Sequence, residues 1–120
     1  MTGPTKRYPT RDEIEKADDR PWEDVPAPEL GEGAYVRVMT MSANQRISFE
    51  AALEGLVADD LPGILLSRCV QNPETGTRMF TDDDAAWLNT KSYRWVSRAF
   101  SKAMKLNGIG NDALAAAVKN

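Results

Sequence analysis

The sequence predicts an α+β fold, mainly α, with four to five short helices packed on a small antiparallel β-hairpin near the N-terminus. Three observations carry this. Residues 91–106 repeat their apolar side chains at helical spacing. Residues 35–39, Tyr-Val-Arg-Val-Met, are the best β-branched and aromatic run. Helix-start residues recur at Thr10, Ser42 and Thr81.

Taken in order, residues 1–9 hold Gly3, Pro4 and Pro9 with no apolar period, and a disordered tail is expected. Thr10 followed by Glu13 spells a capping box and opens a short helix over 11–19 whose one large apolar residue is Ile14. Residues 20–33 contain Pro21, Pro26 and Pro28, which exclude a helix and fit an extended edge strand anchored by Trp22, Val25 and Leu30. Gly31 and Gly33 turn the chain into the strand at 35–39, giving the hairpin. Two strands alone are unstable in water, so the hairpin must lie on helices.

Ser42 and Gln45 form a second capping box for a helix over 43–57, with Ile47, Phe49, Leu53 and Leu56 expected inside. Pro62 suits a first helical turn, and 64–70 continue as a short apolar helix at the centre of the core. Residues 72–76 read as a turn and 78–80 as a brief extended piece. Thr81 then caps a turn whose Asp82, Asp83 and Asp84 complement the helix dipole.

In the helix at 91–106, Tyr93, Trp95, Val96, Ala99, Phe100, Ala103, Met104 and Leu106 fall on one broad half of the cylinder, and Lys91, Arg94, Arg98, Lys102 and Lys105 on the other. Asn107 and Gly108 end it, and Asn111 caps a last weakly apolar helix over 112–119. Residues 10–120 therefore read as a single domain, with 10–33 a loosely held acidic segment.

Composition narrows function. The chain has 120 residues, 42% of them hydrophobic, and a formal net charge of -3, an ordinary single domain. It contains no histidine, which removes the usual general base and the commonest metal ligand. Its acids gather at helix starts and in the N-terminal segment, where capping and solvation account for them, so no enzyme, cofactor or metal site is expected. Cys69 is the one cysteine and lies among Leu65, Leu66 and Val70, as a buried inert thiol would. No membrane span or secretory signal is evident, and a cytosolic protein is expected.

Charge is distributed unevenly. Between Thr10 and Glu32 stand nine acids and three bases, whereas the helix at 91–106 has five bases and no acid. That basic face is either ordinary solvated surface or a contact for an acidic protein, for the chain's own acidic segment, or for nucleic-acid phosphate. The candidate partner-binding residues are Arg94, Arg98, Lys102 and Lys105, together with Trp22 as an exchangeable aromatic contact in a proline-rich segment. Nucleic acid is disfavoured by the negative net charge and by the placement of the aromatics on the other half of the helix. Trp87 and Trp95 are expected in or against the core.

The order of these pieces resembles the tail assembly chaperones of long-tailed phages. The resemblance is carried by Thr10, Arg11, Asp12, Glu13 and Ile14 followed by Ala17, Asp18 and Asp19; by the extended segment at 25–31; by Tyr35, Val36, Arg37 and Val38 leading to Met41, Ser42 and Ala43; and by Arg46, Phe49 and Glu50. Cys69 and Val70, then Phe80 to Asp83, then Ala103, Met104, Leu106, Asn107 and Gly108 extend it to the end. Thr40 departs from the family pattern, which has glycine there.

The resemblance implies a non-enzymatic protein of virion morphogenesis, acting in the host cytoplasm and absent from the mature virion. It would bind the long, largely helical tape measure protein and keep it soluble while tail tube subunits assemble. Tail tube protein would be recruited through a frameshift-extended form, and Lys119 and Asn120 are compatible with an A-rich slippery site. A small nucleic-acid-binding regulator using the basic face and a minor structural virion component are the alternatives.

Overall fold

The structure is a computed structural model that describes residues 5–110. Within them the order is α1 (Arg11–Lys16), β1 (Trp22–Pro26), β2 (Tyr35–Met39), α2 (Ala43–Ala52), α3 (Leu61–Cys69), β3 (Val70–Asn72), β4 (Thr77–Arg78), α4 (Ala85–Leu88) and α5 (Tyr93–Leu106), with short 3₁₀ turns between. The class is α+β with helices predominating, as the sequence predicts. The expected helix over 112–119 lies outside the described residues, as do the first four residues of the expected tail.

The sheet is larger than the expected hairpin. Its four strands run antiparallel in the order β1-β2-β3-β4. Trp22 pairs with Met39 and Pro26 with Tyr35 across β1 and β2, and Val38 pairs with Val70 across β2 and β3. The expected helix over 64–70 instead starts at Leu61 and ends at Cys69, because Val70 leaves it for the ladder. The Val70 amide still donates to the Leu66 carbonyl, its own carbonyl accepts from the Met79 amide at 2.9 Å, and its β-branched side chain suits a strand packed on the core. Residues 72–76 turn as expected, and Gly76 takes a φ of 72° that glycine alone adopts without strain.

One face of the sheet carries Val25, Val38 and Val70, all buried, and α5 and α3 cover it. Leu65, Leu66, Phe49, Leu88, Ala99 and Ala103 complete the core beneath. Gly63 lets α3 approach α4: its N–H donates to Asn89 Oδ1 at 2.8 Å, while Asn89 Nδ2 donates to the carbonyls of Asp60 and Ala85, both at 3.1 Å. Asn107 closes the other end of the core. Its Oδ1 accepts from the Met41 amide at 2.7 Å, and its carbonyl accepts from Arg46 at 3.0 Å.

Local signals explain the element starts. Thr10 and Glu13 form the complete capping box, as do Ser42 and Gln45. The Thr81 amide donates to Asp84 at 2.8 Å. Thr40 needs no glycine in its place: no described non-glycine residue has a positive φ, and the Thr40 amide and hydroxyl both donate to the Pro21 carbonyl.

Several expectations are corrected. Helix α2 stops at Ala52 rather than 57, and Ile47 is exposed instead of buried. Ile47 and Phe49 are two residues apart, about 200° around a helix, so burying Phe49 turns Ile47 to solvent. Tyr93 opens α5 on the margin of its apolar stripe and is 82% exposed, where a core position was expected. Leu30, expected as an anchor, is exposed. Helix α1 is shorter than 11–19 and buries none of its residues.

Candidate partner-binding groove

The basic face of α5 is where two of the predicted contacts turn back on the chain itself. Arg98 donates to Glu29 Oε1 and Oε2 at 3.3 and 3.1 Å and to the Pro26 carbonyl. Lys102 Nζ reaches Glu23 at 3.1 Å. Both lie at the edge of the cylinder nearest the apolar stripe, so docking α5 on the sheet brings them to β1 and the turn after it. Arg94 and Lys105 lie farther round and are exposed.

Trp22 stands elsewhere, 45% exposed, with the Arg37 guanidinium stacked 3.6 Å from its ring centroid. Arg37 in turn grips Asp24 with bonds of 2.8 and 3.1 Å. The predicted partner-binding residues therefore do not form one surface.

The groove that does form was not predicted. It has a volume of about 390 Å³ and opens between one end of the sheet and the α4–α5 corner. Val36 and Val70 form its floor, Leu88 and Trp95 its back wall, and Tyr35, Met79, Phe80 and Trp87 its rim. Trp87 is held by its Nε1–H, which donates to Asp84 Oδ1 at 2.8 Å, and by an edge-on contact with Phe80, centroids 5.6 Å apart. It nevertheless leaves 43% of its surface in water, and Tyr35 leaves 63%. Ordinary core packing would have hidden these rings. Among the described residues Lys91 and Arg37 are the charged members of the lining, with no acid beside them.

A second depression of about 420 Å³ lies between α2, α3 and the Asp82 turn. Its lining includes Asp60, Asp82, Asp83 and the base Arg68, which is fully engaged, donating to Ser48 Oγ, the Ile64 carbonyl and Ser67 Oγ and lying 3.3 Å from Asp82. It braces three elements and offers no open group. Among the described residues no buried side-chain polar atom lacks a hydrogen-bond partner.

The electrostatics are those of held carboxylates. Arg98 draws Glu29 below the usual glutamate range, Arg37 does the same to Asp24, and Arg78 to Asp82. Cap amides lower Glu13 and Asp84. In each case the structure favours the charged form. Burial pushes the Cys69 thiol up to about 12.

Sequence reasoning missed the groove because its walls come from separate segments, joined only when β3 and β4 extend the sheet. The available signal was a surplus of large apolar residues outside the helical stripes: Tyr35, Met79 and Trp87. No helix among the described residues is long and apolar enough to cross a membrane. Compared with known proteins, the chain matches no protein-family model, no curated protein and no solved structure.

Proposed function

We propose that the chain is a phage tail assembly chaperone, a non-enzymatic protein that binds the tape measure protein and keeps it soluble while tail tube subunits assemble. The observation that supports this reading most is the open groove rimmed by Tyr35, Met79, Phe80 and Trp87. An amphipathic helix of a long helical client buries its apolar stripe by laying it into such a groove, and contiguous exposed apolar surface of this kind marks an interaction site. The resemblance running from Thr10 to the C-terminus supports the same reading. On it, the chain works in the host cytoplasm, leaves before the virion matures, and recruits tail tube protein through a frameshift-extended form.

The nucleic-acid reading loses ground, since Arg98 and Lys102 spend their charge on Glu29 and Glu23. Co-expression tests the proposal: the matching tape measure protein should be recovered in a soluble complex with this chain. Equal precipitation of the client with and without the chain would reject the chaperone reading. Recovery of the chain in purified particles would favour a structural virion component.

A further inference from the structure

Helix α1 and the groove are two incomplete halves of one interface. The helix has a full capping box and yet buries nothing: Ile14 is 63% exposed, and Tyr8 just before it 82%. A six-residue helix gains little from propensity and needs a tertiary partner. From Lys6 to Asp19 the arm carries five acids and four bases, with Glu13, Glu15 and Asp12 already paired to Arg7, Arg11 and Lys16. The groove is apolar, its lining holds Arg37 and Lys91 and no acid, and neither Lys91 nor the nearby Arg94 has an ion-pair partner among the described residues. Arg37 is held by Asp24, so the groove's uncompensated charge is that of Lys91, and the arm's acids without an ion-pair partner among the described residues are Asp18 and Asp19.

We propose that the arm of one copy docks into the groove of a second copy, with Ile14 against Met79 and Trp87 and the arm's acids toward Lys91. The chain's own groove is the competing destination, and the tether disfavours it. Pro21 is pinned beside Thr40 by two hydrogen bonds, at the end of β2 opposite Tyr35. The chain from Ile14 to Pro21 spans about 20 Å at full stretch, with the steps from Ile14 to Lys16 helical. The distance along β2 from Thr40 to Tyr35 is itself about 17 Å, before the strands that separate β1 from Phe80 and Trp87 are crossed. A second copy imposes no such limit, and two arms and two grooves close a symmetric dimer.

The inference does not depend on the chaperone reading, because its test contains no client. The full chain is followed by sedimentation velocity over a range of concentrations and salt. It should dimerise reversibly, with a dissociation constant that rises with ionic strength. Ile14→Asp and Met79→Asp each alter a side chain exposed in the monomer, so circular dichroism should be unchanged while each raises the dissociation constant about tenfold or more. A monomer at every concentration up to about 1 mM, as when the arm folds onto its own groove, would overturn the proposal. So would a dimer that either substitution leaves unchanged.

Discussion

Arg98 on α5 holds both carboxylate oxygens of Glu29, a residue 69 positions earlier in the chain. This clamp, with the Pro26 carbonyl on the same guanidinium, ties the proline-rich segment to the helix that gives Trp95, Val96, Ala99, Ala103 and Met104 to the core. Arg98→Ala should therefore lower the thermal midpoint and loosen residues 22–30 selectively. Hydrogen exchange checks it: the amides of Ala27 and Leu30, bonded to Ala34 and Ala27 carbonyls, should exchange faster while those of α3 keep their protection. Lys102→Ala should do less, since its single bond to Glu23 is the more exposed at the acid.

Acid should weaken the same clamps. Glu29, Asp24 and Asp82 have folded-state pKa values below their ordinary 4.5, 3.8 and 3.8, each because of an arginine. A depressed pKa stabilises fully above the unfolded value and loses its contribution as pH falls through the folded one. Urea midpoints should thus hold steady near neutrality and fall once pH drops below about 4.5. Arg98→Ala should show a shallower fall, and an identical slope would contradict the assignment to Glu29.

At Gly63, α3 packs on the α4 segment with no room for a side chain. A Cβ there would meet the Ala85 carbonyl and lie 2.6 Å from Asn89 Nδ2, with backbone on one side that cannot yield cheaply. Gly63→Ala should destabilise the chain by about 1–3 kcal/mol, read from denaturant unfolding. A neutral or stabilising effect, as expected for Gly→Ala in a free helix, would show that the contact is looser than described.

Much of this could be read from the residues. The stripe of α5 is long and regular, and Trp95, Val96, Ala99, Ala103 and Met104 are buried as the period requires. Capping boxes at Thr10 and Ser42 depend on contacts three residues apart and were equally legible. What escaped was non-local. Val70 looks like the end of the apolar run from Ile64, because a short apolar stretch does not tell helix from strand, and only pairing with Val38 makes it a strand. The basic face was visible and the chain's own acidic segment was among its expected contacts, but which acids of that segment meet it, Glu29 and Glu23 from 69 and 79 residues away, was not.

The Cys69 thiol should be chemically silent in the folded protein. It is fully buried, and its pKa is pushed up to about 12 by that burial, so little thiolate exists near neutral pH. Alkylation should proceed only as fast as global unfolding and should accelerate with denaturant. Labelling at the rate of a free thiol in native buffer would show that the α3–α5 contact opens locally.

The groove is the claim on which the functional account rests, and a hydrogen-exchange footprint of the chain with bound tape measure protein tests it most directly. The account predicts protection gathered at Tyr35 to Arg37, at Met79 and Phe80, and around Trp87 and Lys91. Protection confined to the Arg94 and Lys105 side of α5, with the groove exchanging as in the free chain at concentrations low enough to keep it monomeric, would contradict it.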